Sequence, residues 1–448
     1  MTSTVSDVFA IGAPPRSPRP GAALYVALQC GELDAPPSCH LLDGVDVIEL
    51  GRGPRAAIRR PIDGRPGLAL AVPDPVMSAS HGRLTRRGDG WWLEDPRSKN
   101  GAMIDGRPTR AARVADGAIL QLGHTVFLLA SAAHADGDPV DRIAVAPPPP
   151  CAELITLDPQ LAATVAELAR VARADVPALI TGETGTGKEV IARALHALSG
   201  RPGPLVAVNC GAIPATLIES ELFGHRRGAF SGALADRPGH LRAAAGGTLL
   251  LDEIGELSAA GQAALLRAIQ QREVVPVGDS LPVPIDARVV AATHRDLPAM
   301  IAVGSFREDL YARLLGVAIE LPPLRARRFD LGPLIASLLR RIDPRGAARI
   351  TPAAARALFA HAWPRNVREL EQALASAHAR APDGTIDLAH LPAPVQAAAA
   401  PPTRAAPPPA PPTAEPDDDA LRARLIAALD RHGGNVTAAA TELGRHRE

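Results

Sequence analysis

The sequence predicts a multidomain chain: an all-β sandwich, an α/β domain with a helical lid, and a partial helical terminus. Three observations carry this expectation. Short apolar runs separated by Gly, Pro and Asp fill the first third of the chain, the pattern of a β-sandwich. Strand-like and amphipathic helical runs alternate through the middle, the pattern of a mainly parallel sheet. Two proline-rich stretches, PVDRIAVAPPPP at 139–150 and PAPVQAAAAPPTRAAPPPAPPTAEPDDD at 392–419, remove backbone donors and favour extended spacers. The expected division is a disordered tail (1–20), a β body (21–135), a linker (136–150), an α/β part (151–323), a helical lid (324–391), a second linker (392–419) and a terminal helical body (420–448).

Composition narrows the function. Basic and acidic side chains number 48 each, so the formal net charge is zero. That argues against a surface coated for non-specific nucleic-acid binding and leaves room for one small DNA-reading module. No apolar run reaches the roughly 18 residues that span a bilayer. Residues 1–20 lack the basic start and apolar stretch of a secretory signal. Cys30, Cys39, Cys151 and Cys210 form no CxxC pair, which fits reduced thiols and a cytoplasmic location without membrane contact. Only two of the 48 basic residues are lysine, Lys99 and Lys188. A position that keeps lysine in so arginine-rich a chain is a candidate for a site needing a compact ammonium.

Strands of the first body are expected at Ala23 to Leu28, Val45 to Leu50, Leu68 to Val72, Trp91 to Leu93, Ile119 to Leu122 and Val126 to Leu129. Between them, at loop-like positions, stand Gly51–Arg52, Ser78-Ala79-Ser80-His81 and Ser98-Lys99-Asn100-Gly101. A phosphate needs a cation with short hydroxyl and amide donors on loops. Arg52, Ser78, Ser98 and Asn100 supply that set. These residues and spacings resemble a forkhead-associated (FHA) domain over about residues 21–131. The resemblance implies phosphothreonine protein or peptide binding through the matching Arg52, Ser78 and loop residues, with His81 structural. Ala79 stands where the family often has Arg or Lys, and Arg59 or Arg60 is the candidate replacement. The run RPIDGRPG at 60–67 reads as insertion-like.

In the middle body the strand ALIT runs into Gly182, Glu183, Thr184, Gly185, Thr186, Gly187, Lys188 and Glu189, followed by the helical run VIARALHAL. A glycine-rich turn at a helix N-terminus presents backbone N–H groups to an anion. Lys188 would reach the terminal phosphates of a nucleotide. Glu189 occupies the place of the usual magnesium-binding hydroxyl, so the metal depends on other ligands. GGTLLLDEIGEL at 246–257 reads as a buried strand ending in two carboxylates. Alone that is equally a helix cap. Beside the glycine loop, Asp252 would organise Mg2+ and Glu253 would deprotonate the attacking water.

Residues 151–391 resemble the AAA+ domain of sigma-54-dependent transcriptional activators, through several motifs in the family's order. ELFGHRRGAFSGA (221–233) resembles its signature surface loop, FREDLYARL (306–314) its arginine-finger segment and WPRNVRELEQ (363–372) the sensor motif of its lid. The resemblance implies that Gly228, Ala229, Phe230, Ser231, Gly232 and Ala233 engage sigma-54, with Phe230 the apolar contact and Ser231 in the place of the usual Thr. It implies that Arg307 and Arg313 reach the γ-phosphate of a neighbouring subunit in a hexamer. Asn209 would restrain Glu253. Thr293 and His294 would form the first sensor and Arg368 the second. Arg365 stands where the family has Gly, a change expected to touch lid packing. Glu189 is the family's usual residue.

The terminal body ALRARLIAALDRHGGNVTAAATELGRHRE resembles the factor-for-inversion-stimulation type of helix-turn-helix, with Gly433–Gly434 ending one helix and Asn435 capping the next. Its DNA-reading helix would begin near Arg445, so the element is partial as written. The expected function is an ATPase ring that remodels the sigma-54 RNA polymerase closed complex. The FHA domain would regulate it, with promoter-upstream DNA as a partner where the terminus is complete. The competing expectation is a phosphothreonine-dependent adaptor whose AAA+ ring remodels another client.

Overall fold

The computed structural model describes residues 19–134, 139–144, 147, 150–399 and 426–442, less residues 96, 152 and 215. Arg19 and Pro20 begin a strand, and the rest of the expected tail lies outside the described residues.

The first body is a sandwich. One sheet has seven strands, with Arg19–Gln29, Thr125–His134 and Ala118–Leu122 adjacent at its middle. The other has six, and there Val47–Arg52 pairs parallel with Arg65–Val72 and antiparallel with Gly82–Arg87. Leu24, Val26, Ile48, Leu68, Leu84 and Phe127 fill the space between the sheets, each at most 1% exposed. RPIDGRPG belongs to a regular hairpin. Ala56–Ile62 and Arg65–Val72 pair antiparallel across Asp63–Gly64, whose φ angles of 50° and 75° suit the two-residue turn that matches strand twist.

The first linker is shorter than the proline content suggests. Asp141–Ile143 pairs with Ser38–Leu41 as an edge strand of the seven-stranded sheet. Asp141 fixes it by accepting bonds from Arg59 and pairing with His40 at 2.7 Å. An edge strand needs only one paired side, so a proline just before it does no harm.

The α/β part holds five parallel strands in the order Leu205–Asn209, Thr248–Asp252, Arg288–Thr293, Ala178–Thr181, Val317–Glu320. Leu249–Leu251 and Val290–Ala292 are at most 1% exposed, as the continuous apolar runs of a sheet covered on both faces require. The first of these strands in the chain, Ala178–Thr181, lies between the fourth and the fifth, so the carboxyl ends open a crevice beside it.

The lid consists of helices Leu331–Ile342, Pro352–Ala360, Asn366–Arg380 and Ala393–Ala398. The last overturns the expected start of the second linker at 392: Val395 is buried against the other lid helices. The outer face of the seven-stranded sheet shares one apolar cluster with the lid, so the sandwich and the ATPase part form a single compact unit, 1–400. No described helix is long and apolar enough to cross a membrane.

The second unit, 401–448, is described over residues 426–442. Residues 426–431 are helical. Gly434 and Gly433 donate to Leu429 O and Asp430 O, closing the helix as expected of glycine. Asn435 caps Val436–Glu442 by accepting from Thr437 and Ala438 N–H. The helix expected from Arg445 lies outside the described residues.

Candidate active site

The strand Ala178–Thr181 feeds directly into helix Lys188–Ser199 through the glycine loop. Gly182, Gly185 and Gly187 have φ of 147°, 79° and 107°, and a Cβ on Gly185 would lie 2.2 Å from Arg365 O. Only glycine combines that backbone with that approach. Lys188 is 7% exposed and its Nζ donates to Gly182 O at 2.8 Å and Glu183 O at 3.2 Å. Burial lowers its pKa, against the pull of the Glu253 and Asp252 carboxylates.

Parallel register sets Asn209 beside Asp252 at the same sheet edge. Burial, and then the charge of Glu253, push the Asp252 carboxyl above its usual range. A divalent cation there would relieve both causes. Glu253 has φ 55° and ψ 48°, a left-handed backbone that costs a non-glycine residue about 1–3 kcal/mol and marks a constrained side chain. Its Oε2 lies 2.6 Å from Nδ1 of His294.

These groups line a cavity of about 360 Å³. Its lining combines Lys188, Asp252, Glu253 and residues 184–187 of the glycine loop with the apolar side chains of Leu154, Ile155, Leu161, Leu334 and Leu338. A cavity of this size, with loop N–H donors and apolar side chains in its lining, has room for a nucleotide-sized ligand. One carboxylate plus substrate phosphates is a normal magnesium environment, and no cluster of three metal-ligating side chains occurs among the described residues. Glu189 is directed along its own helix to Arg193 at 2.6 Å.

Asn209 makes no hydrogen bond to Glu253 among the described residues; its carboxamide oxygen accepts from Gly211 N–H and caps the following turn. His294, one strand further on, makes that contact. Thr293 is 1% exposed, its hydroxyl accepts from Arg295 N–H, and it does not line the cavity. Arg368 lines the cavity and is exposed. Arg307 is held by both oxygens of Asp309, whereas Arg313 is exposed and has no side-chain partner among the described residues.

Sequence reasoning missed the lid's grip on the loop. Arg325 binds both oxygens of Glu183 at 2.7 and 2.5 Å. With Asn366, it holds that carboxyl down at about 2. Asn366 is fully buried at φ 56° and donates to Thr184 O at 3.0 Å, Val367 N–H donates to Gly185 O at 2.9 Å, and Arg327 donates to Thr186 O at 3.2 Å. Four consecutive loop residues are thus tied to the lid. The available signal was Asn366 within WPRNV, because Asn is one of the few residues that tolerates a left-handed backbone. Arg365 itself has φ −107°, so the replacement of Gly there carries no strain.

In the 228–233 loop, Gly228 N–H donates to Ala233 O and Ala233 N–H to Phe230 O, folding the loop on itself. Phe230 is half-buried and packs edge-on against His225, with ring centroids 5.0 Å apart. The fully projecting apolar side chain is its neighbour Leu234, 87% exposed. Arg226 anchors the base through Asp236 and Asp279, each at 2.7 Å.

In the sandwich, Arg52, Ser78, Asn100 and Lys99 converge around the 75–78 turn. Arg52 donates to Pro75 O, Asn100 to Val76 O, and Lys99 N–H to Ser78 Oγ. His81 ties the two loops, accepting from Ser78 N–H and reaching Gly101 O. Ser98 is the exception. It is 6% exposed and its hydroxyl faces Asp95 and Gly101 N–H, so it braces the loop from inside. Arg59 and Arg60 are engaged by Asp141 and Glu49 and do not replace Ala79.

Comparison with known proteins agrees with this geometry. Residues 154–320 match the sigma-54 interaction domain, 325–407 the AAA+ ATPase lid domain and 48–123 the FHA domain. The crystal structure of NtrX from Brucella abortus in complex with ADP is 32% identical, covers 66% of this chain and 68% of its own, and has a TM-score of 0.50. The chain belongs to the sigma-54-dependent transcriptional regulators. Within that family, the transcriptional regulatory protein ZraR of Klebsiella oxytoca is 44% identical over 290 residues, 64% of this chain and 65% of its own length. The sigma54-dependent transcriptional activator SfnR of Pseudomonas putida is 48% identical over 233 residues, 51% of this chain and 64% of its own. The chain thus spans about 65% of the length of these family members, and it carries an FHA domain at its N-terminal end.

Proposed function

We propose that the chain is an ATPase that activates transcription by remodelling the sigma-54 RNA polymerase closed complex. The observation that carries this is the convergence of Lys188, Asp252 and Glu253 on one nucleotide-sized cavity, within a domain that matches the sigma-54 interaction family. Lys188 and the loop amides hold the phosphates. Glu253, oriented by His294, accepts the proton of the attacking water. Asp252 would hold Mg2+ beside the phosphates, where the ion would supply charge neutralisation for phosphoryl transfer. Arg368 senses the nucleotide from the lid. Arg313, exposed and without a side-chain partner among the described residues, and Arg307, once released from Asp309, serve the site of a neighbouring subunit in a hexameric ring. The 228–233 loop carries the stroke to sigma-54, with Phe230 and Leu234 as apolar contacts.

In a reconstituted sigma-54 transcription assay, Phe230→Ala and Ser231→Ala are expected to keep ATP turnover and lose open-complex formation. Equal activation by variants and parent would sink this reading and favour the adaptor whose ring serves another client.

The FHA domain supplies the input as a phosphothreonine reader through Arg52, Ser78, Lys99 and Asn100. Arg52→Ala is expected to weaken binding of a phosphothreonine peptide library by at least tenfold, since a charge-assisted contact contributes about 1.5–3 kcal/mol. Unchanged retention on the immobilised library would remove Arg52 from the site. DNA reading would rest with the terminal unit.

A further inference from the structure

We propose that the FHA domain is a seated part of the ATPase, and that residues 327–332 transmit its seating to the phosphate loop. Its consequence for nucleotide rests on the ATPase reading above; the seat itself rests on geometry alone.

The seven-stranded sheet is apolar on both faces. On Arg19–Gln29, Leu24 and Val26 enter the sandwich core, while Ala23, Tyr25 and Ala27 join the lid cluster. Thr125–His134 repeats the division, with Phe127 and Leu129 inward and Val126 and Leu128 towards the lid. Period-two alternation makes this possible only if both faces are covered. The Tyr25 ring stacks on Phe329, centroids 4.6 Å apart and planes within 10°. Gly332 opens helix Leu331–Ile342 so close to the strand that a Cβ there would lie 1.8 Å from Ala27 O. Polar contacts frame the seat: Arg328 donates to Gly117 O in the sandwich and to Phe359 O in the lid, and Arg356 bonds Gln121.

The other side of the same segment faces the nucleotide cavity. Arg327 is 5% exposed, lines the cavity and donates to Thr186 O at 3.2 Å. Asp330 is fully buried and accepts from Leu157 N–H and Thr156 Oγ1, pinning the segment to the entrance of the α/β part. Leu334 and Leu338, from the helix that Gly332 opens, line the same cavity. Close-packed interfaces have discrete arrangements and resist continuous sliding. A lid that shifts must therefore carry the FHA domain with it or leave the seat. The seated domain holds Arg327, and through it the loop, in the closed arrangement. Arg327 is here a positioning residue acting through Thr186.

The test uses the full chain and approaches the seat from both sides. Tyr25→Ala changes only the sandwich, and Gly332→Ala pushes from the lid. Each is expected to split one thermal transition into two. Each is also expected to speed amide exchange over 183–191, and to raise KM for ATP about fivefold or more with little change in kcat. If the transition splits while exchange and KM stay at the parent's values, the coupling is overturned. If neither variant splits the transition, the seat is overturned. Should the parent chain fail to bind ADP or turn over ATP, the ATPase reading falls, and exchange over 183–191 in Tyr25→Ala still decides the coupling.

Discussion

Replacing Glu253 by Gln is expected to reduce ATP turnover by roughly 10²–10⁴-fold, the usual size of a general-base contribution, and to leave ADP binding within a few-fold of the parent. The two effects separate because the groups that hold phosphate are different groups. Lys188 is fixed by the loop carbonyls of Gly182 and Glu183, and neither contact involves Glu253. The adjacent Asp252 keeps its place on the strand Thr248–Asp252. Glutamine has the shape of glutamate, can keep the contact with His294 Nδ1, and tolerates the φ of 55° no worse. What it lacks is basicity. Phosphate release and a fluorescent ADP titration on the same preparation check both halves. Turnover within twofold of the parent would remove Glu253 from the chemistry, and a parallel loss of ADP binding would show that it supports the site's structure.

The candidate nucleotide site was legible in the sequence because the chemistry proposed for it dictates residue type in sequence order. A strand, a glycine loop and a lysine must be contiguous for amides and ammonium to meet one phosphate chain, and a second buried strand must end in acid. What escaped was set by contacts across the fold. The resemblance ties Asn209 to Glu253, whereas its carboxamide oxygen accepts from Gly211 N–H and the hydrogen bond to Glu253 comes from His294 on the neighbouring strand. Ser98 lies in the phosphate motif by spacing, but the buried carboxylate of Asp95 draws its hydroxyl inward. The seat of the sandwich was hidden in plain text. Ala23 to Leu28 and Val126 to Leu129 are unbroken apolar runs, whereas a sandwich strand with one wet face should alternate. The continuous run is the sign of a second covered face, whereas the proline-rich stretch at 139–150 reads as an extended spacer. Its strand Asp141–Ile143 instead extends the seated sheet.

Trp363→Ala is expected to destabilise the chain by about 3–5 kcal/mol, the range for truncating a large aromatic in a core, and to lower the melting temperature by on the order of 10 °C. Trp363 is fully buried, at the junction of lid helices Pro352–Ala360 and Asn366–Arg380. Its Nε1 donates to Leu358 O at 2.9 Å, and its ring takes the edge of His361 at 4.7 Å. Alanine leaves that carbonyl without its donor and opens a cavity that these two helices can only partly close. The backbone does not soften the loss, because φ at this position is 53° and alanine is as strained there as tryptophan. The damage also spreads to the nucleotide loop. Three residues on, Asn366 and Val367 hold Thr184 and Gly185, so a lid that loosens at Trp363 releases the loop from the same end. Thermal and urea unfolding, followed with and without ADP, read both effects. ADP is expected to raise the melting temperature of the variant less than that of the parent. A stability loss below about 1 kcal/mol would mean that the lid does not rest on this side chain. A full loss with undiminished ADP stabilisation would show that the loop holds its shape without the lid.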